Sequence, residues 1–303
     1  MGQGTGTGMR PGSGAEVNLA AWSEAITADA RLHPVRTNGV TLSVAEYPGP
    51  AGAGDDETVV LLHGIGSSGA SWSPVVAGLA ARFRLLVPDL RGHGASGRPG
   101  RGYLLPDYAA DLDGLLGAFG LDRPLLLGHS LGGLIALTWA RARPDRARAI
   151  ALEDSTLRGG PGVIPAFDDW IALSSMSPAD AAAHYAKEHP EWPPEDCCRR
   201  AEAITSVVPG VFTELRAANL DPGQADRIDT LAGITSPVLL VHGDLVAGGM
   251  VDSGDAERFA ATLPAARIVR VAGAGHSLHR ERPDALLAAV LPFLAEHASA
   301  GRH

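Results

Sequence analysis

The first group in this chain that could do chemistry is a serine between two glycines. Gly128-His129-Ser130-Leu131-Gly132 follows the apolar run PLLL and opens a helical stretch. Strand, sharp turn and helix form the setting in which a G-x-S-x-G serine becomes a nucleophile. So tight a turn strains the serine backbone, and a side chain at position 128 or 132 would collide with the adjoining strand or helix. The helix that follows Ser130 points its free amides at the charge formed on attack. The plainer alternative, a Gly-Ser-Gly turn that merely joins two elements, leaves the flanking pattern without a purpose.

A nucleophilic serine needs a base, an acid to orient that base, and donors for the oxyanion. Gly273-Ala274-Gly275-His276 follows the run RIVRV and places an imidazole on a loop after a strand. Among eleven histidines, chain order favours His276, which follows Ser130 with room for an acid between. His279 lies three residues on and is set aside because His276 comes first after the glycine pair. Upstream, His63-Gly64-Ile65-Gly66 ends the run TVVLLHG. The amides of Ile65 and Leu131 are the expected oxyanion hole, each such donor being worth about 2.7–4 kcal/mol in the transition state. His63 itself reads as a loop brace. The acid has four candidates: Asp244 directly after Gly243, Asp252 and Asp255 farther along that loop, and Asp154 at the end of ARAIALED. A carboxylate at a strand terminus is held most firmly, which suits Asp244 and Asp154. Asp252 and Asp255 read as capping or solvated residues of the helix DAERFAATL.

These groups need a scaffold that brings residues 63, 130 and 276 to one place. From about Val35, short apolar runs alternate with longer amphipathic stretches, which predicts an α/β fold: a mostly parallel, twisted sheet with helices on both faces. The stretch 155–233 breaks the alternation with short, proline-punctuated helical pieces and is expected to be a helical cap inserted in the core. Residues 17–154 and 234–303 form that core, and the Gly-rich residues 1–16 read as a disordered leader. In the cap, Phe167, Trp170, Tyr185, Trp192 and Phe212 are available to line a pocket; Phe167, Trp170 and Trp192 are the substrate-binding candidates.

Composition narrows the partners. With 25 basic against 34 acidic residues the net charge is −9, which offers no field for nucleic acid or anionic membranes. The only cysteines, Cys197 and Cys198, are adjacent and fit neither a disulfide framework nor a zinc site. No apolar run approaches the roughly 20 residues of a membrane span, and no secretory signal is seen, so a cytoplasmic protein with a small-molecule substrate is expected.

The blocks HGIG, VPDLRGHGASGRP, GHSLGG and GAGHSLHRERPDALLAAVLPFL resemble successive motifs of the α/β-hydrolase fold superfamily. That resemblance covers nearly all of the chain from Val35 except the cap. It implies a Ser-His-acid triad under a variable lid, acting on esters, lactones, amides or activated carbon–carbon bonds, and it implies a structural role for DLRGHG. Most relatives carry the acid in a G-x-x-D arrangement after the seventh strand, which here falls on Val246. Asp244 is then the first choice, with Gly248-Gly249 giving the loop freedom to turn; Asp154 is the alternative, since some branches take the acid from the sixth strand. The expected activity is that of a serine hydrolase cleaving an ester, lactone or similar acyl bond of a small apolar substrate through an acyl-enzyme, without metal or organic cofactor. A serine at the elbow argues against the dehalogenases and epoxide hydrolases of this fold, which use aspartate there. Acyl transfer to another acceptor, including a perhydrolase-type reaction, and a non-catalytic ligand-binding role are the competing readings.

Overall fold

The computed structural model describes residues 30–298 apart from 52, 191 and 222–225. The expected leader and residues 17–29 of the expected core lie outside the described residues. Among the described residues eight strands make one sheet: β1 (Arg31–Thr37), β2 (Val40–Tyr47), β3 (Thr58–Leu62), β4 (Arg84–Pro88), β5 (Leu125–His129), β6 (Ala149–Glu153), β7 (Val238–His242) and β8 (Arg267–Arg270), in the order β1-β2-β4-β3-β5-β6-β7-β8. From β4 to β8 neighbouring strands pair in parallel. The hairpin β1–β2 adds an antiparallel edge to β4. Its turn is Asn38-Gly39, both with positive φ, the dipeptide that two-residue hairpin turns favour. This hairpin begins before the alternation expected from Val35.

The uninterrupted apolar character of the central strands follows from burial on both faces. Val60, Leu62, Leu126, Ile150, Leu152 and Leu240 face one side, packed with helices α2 (Leu105–Ala118) and α3 (Leu131–Ala142). Val59, Leu61, Leu125, Leu127, Leu239 and Val241 face the other, with α1 (Ser73–Ala80) and α10 (Pro283–Ala298). Between β6 and β7 the described residues form four α-helices: α4 (Ile164–Ser174), α5 (Pro178–Glu188), α6 (Pro194–Thr205) and α7 (Pro209–Asn219). Each carries proline in its first turn, where the missing N–H costs nothing. Tyr185, Cys197, Ile204 and Phe212 are buried among them, while Cys198 is exposed. After β7 follow α8 (Ser253–Thr262) and the short α9 (Leu278–Glu281). Asp252 caps α8 by accepting from the amide of Asp255 at 2.7 Å, as its sequence context suggested. Among the described residues no helix is long and apolar enough to cross a membrane.

The DLRGHG stretch after β4 is tied down by its polar groups. Asp89 accepts from the amides of Gly69 and Ala95, each at 2.7 Å. Arg91, 4 % exposed, donates through Nε and Nη2 to the two oxygens of buried Asp111 at 2.5 Å each, and through Nη1 to the carbonyl of Gly102 at 2.7 Å. The pair locks this loop to α2, and removing one partner would strand a buried charge. Asp111→Ala is therefore expected to lower the unfolding free energy by about 3–5 kcal/mol, measured by urea denaturation; a loss below about 1 kcal/mol would show that the pair behaves as a surface contact.

Candidate active site

The turn from β5 into α3 is tight. Ser130 sits there with φ 50° and ψ −115°, a conformation that costs a non-glycine residue strain. The neighbouring glycines are required by contact: a Cβ on Gly132 would come within 2.0 Å of the carbonyl oxygen of Leu62, and one on Gly128 within 2.5 Å of the backbone at Gly132. The strained turn is held in part by the Ser130 amide, which donates to the Glu153 carbonyl at 3.0 Å.

Gly64 comes against this turn from β3; a Cβ there would lie 3.4 Å from that of Ser130 and 2.6 Å from Nδ1 of His129. The next residue, Ile65, lines one cavity together with Ser130 and Leu131. Leu131 opens α3, where first-turn amides have no intrahelical acceptor. Two buried imidazoles brace the loop. His63 accepts from the Leu90 amide at 3.0 Å and donates to the Gly64 carbonyl at 2.8 Å; His93 accepts from Gly66 at 3.2 Å and donates to the Arg91 carbonyl at 2.9 Å. Burial drives the pKa of His63 well below the ordinary range and that of His93 to about 4, so both are neutral acceptors at pH 7. His63 is thus the brace the sequence suggested. The second brace, His93, was legible only as part of DLRGHG.

The carboxylate beside His276 is Asp154, not Asp244. His276 Nδ1 donates to Asp154 Oδ2 at 2.7 Å. Asp154, fully buried with φ 39°, also accepts from the amides of Met250 at 2.8 Å and Gly243 at 3.3 Å. Asp244 is committed elsewhere, to Arg270 Nε at 2.5 Å and the Gly273 amide at 2.9 Å. The Arg270 hydrogen bond holds its carboxyl below the usual range. The reason is register: Arg270 pairs with His242 at the end of β7–β8 and meets the carboxylate two residues on. The loop that follows brings the Met250 amide back over Asp154.

His276 is set on its loop by Glu281, which accepts from the amides of Gly275 and Ser277, and by His129, whose Nε2 donates to the His276 carbonyl at 3.0 Å. The rings of His129 and His276 are 4.6 Å apart, so the imidazole lies beside the immediate neighbour of Ser130. His279, the rival base, is buried with its Nδ1 on Glu153 at 2.7 Å. His129, Glu153 and His279 form a compact buried group of metal-ligand type, already partly occupied by these hydrogen bonds. Burial, with His276 and His279 nearby, pushes the pKa of His129 well down.

The cavity at Ser130 has a volume of about 590 Å3, and Phe167 and Trp170 of α4 are among the residues that line it. Trp192, the third expected contact, is not part of its wall. Its ring stacks on His189 at 3.9 Å, a partner one turn away that captures it outside the site.

Residues 59–290 match the sequence profile of the alpha/beta hydrolase family. The chain belongs to that family. It is 28% identical over 263 residues to the 2-(acetamidomethylene)succinate hydrolase of Mesorhizobium japonicum, covering 84% of this chain and 92% of that one. It is 31% identical over 258 residues to the magnesium-chelatase 30 kDa subunit of Rhodobacter capsulatus, covering 80% and 88%. Among solved structures, the enol-lactonase from Burkholderia xenovorans LB400 superposes with a TM-score of 0.71 at 26% identity, over 86% of this chain and 100% of that one. At this level the protein is a hydrolase of the alpha/beta hydrolase family.

Asp154→Asn is expected to lower kcat by about 10⁴-fold while Asp244→Asn retains most turnover, measured on one ester substrate; the opposite ranking would return the acid to Asp244. The buried histidines add a pH dependence. Their unfolded forms protonate near pH 6.5, whereas folded His93 resists to about pH 4, so stability is full above about pH 6.5 and falls as the pH drops toward 4. Urea midpoints that stay flat between about pH 6.5 and 5 would contradict neutral burial.

Proposed function

We propose that the protein is a serine hydrolase that cleaves an ester, lactone or similar acyl bond through an acyl-enzyme. The observation that carries this reading is the Asp154–His276 hydrogen bond at the same sheet edge as the strained Ser130. With Nδ1–H held by the carboxylate, Nε2 of His276 is the free basic nitrogen. Ser130 Oγ attacks the carbonyl carbon while His276 Nε2 takes its proton. The carbonyl oxygen becomes an oxyanion facing the amides of Ile65 and Leu131. As the tetrahedral adduct collapses, the leaving oxygen takes the proton from His276 and the acyl group stays on Ser130. Water then loses a proton to His276, attacks the ester carbon and displaces the Ser130 oxygen, which recovers the proton.

The cavity wall supports an apolar acyl portion. Ile65, Leu131, Leu134, Phe167 and Trp170 are among the residues that line it. Catalysis needs neither metal nor organic cofactor in this scheme. A missing carboxylate at Val246 favours a non-catalytic role; against that role, Val246 is 97% exposed, and the Asp154 carboxylate hydrogen-bonded to His276 supports the catalytic reading. The proposed cytoplasmic setting suits a soluble small-molecule substrate.

A fluorophosphonate probe is expected to label the native protein at Ser130, located by peptide mass analysis, and Ser130→Ala is expected to lower hydrolysis of chromogenic esters and lactones by about 10⁶-fold. An unlabelled Ser130, or a Ser130→Ala protein of undiminished activity, would refute the mechanism.

A further inference from the structure

One wall of the cavity holds a cation that no carboxylate of the described residues pairs with. Arg227 lines the same cavity as Ser130 and is partly buried. Its Nη2 donates to Asn219 Oδ1 at 2.9 Å, and its Nε is buried with no acceptor. No carboxylate pairs with it among the described residues. Asp226, next in sequence, is taken by Arg258 Nη2 at 2.7 Å and by the Ile228 amide at 3.1 Å. Of the other two cations that line the cavity, Arg158 is paired with Asp255 and Arg141 is exposed. Asp221 also lines the cavity and is exposed.

The guanidinium is fixed in place. It lies against Gly159, where a Cβ would be 2.7 Å from Nη1 and 2.9 Å from Nη2. The Arg227 amide donates to the Leu157 carbonyl at 3.3 Å, on the loop that leaves Asp154. Burial alone lowers its pKa from the usual arginine value. A charge partly withdrawn from water without an opposite charge beside it is costly, and a guanidinium fits a carboxylate better than any other common anion of small metabolites except phosphate. Nη1, which has no acceptor among the described residues, is the donor left for a ligand.

We propose that this cavity takes an acyl substrate carrying a carboxylate, with its ester or lactone carbonyl at Ser130 and its carboxylate on Arg227. The proposal rests on the serine-hydrolase reading above and adds the class of acid it acts on. The apolar stretch of Leu131, Leu134 and Phe167 would then cover the carbon chain between the two polar ends.

The test compares p-nitrophenyl hydrogen glutarate with p-nitrophenyl butyrate, two esters that differ mainly in a terminal carboxylate. The native protein is expected to favour the acid ester in kcat/KM by about tenfold or more, the worth of one charge-assisted hydrogen bond. Arg227→Gln should remove that preference, chiefly through KM, and Arg227→Lys should restore part of it. Calorimetric binding of monomethyl glutarate to Ser130→Ala, against methyl valerate, reads the subsite without turnover. Equal binding of the two, or a preference that survives Arg227→Gln, would overturn the subsite even in an active hydrolase. Should the Gln variant not fold, the native comparison and the Lys variant still decide. Tight binding of the anion with neither ester cleaved would instead leave the subsite standing and remove the serine-hydrolase reading.

Discussion

A carboxylate with no exposed surface must be fully paired, and in this molecule that requirement joins three separate parts of the chain. Asp154 directly follows β6, yet its oxygens are met by the amides of Gly243 and Met250 from the loop after β7 and by His276 from the loop after β8. Each donor lies at least 89 residues away in sequence. Leaving any of them unmade would strand a buried anion at a cost of several kcal/mol. Asp154 therefore organises the carboxyl edge of the sheet as well as the imidazole.

The other half of the site is set by van der Waals contact. Leu62, Gly128 and Gly132 approach so closely that no side chain fits between them, and the crowding fixes where Ser130 stands. The polar network around it stiffens the same corner. His63 and His93 tie down the loop from β3, and Glu281 and His129 tie down the loop that carries His276. Neutral imidazoles suit this task because each can donate and accept without bringing a charge into the core.

Much of this was legible in the sequence where the signal was local. The elbow around Ser130 follows from glycine spacing between a strand and a helix, and the sheet follows from apolar runs buried on both sides. His276 followed from order along the chain. The acid did not, because Asp154 and Asp244 both stand just past a strand end, and what separates them is a neighbour. Arg270 in RIVRV takes Asp244 through strand register, a pairing visible only once β7 and β8 are side by side. Trp192 was misplaced for a similar reason, since His189 offered a nearer stacking partner than the cavity. The first hairpin did carry a readable sign in Asn38-Gly39. Arg227 carried none, because its meaning depends on which carboxylates fail to reach it.

The most direct measurement is proton NMR of the imidazole N–H hydrogens in the native protein. A proton shared between His276 Nδ1 and a buried carboxylate should resonate far downfield, persist in Asp244→Asn, and disappear in Asp154→Asn. A downfield resonance that survives Asp154→Asn and vanishes with Asp244→Asn would contradict the account.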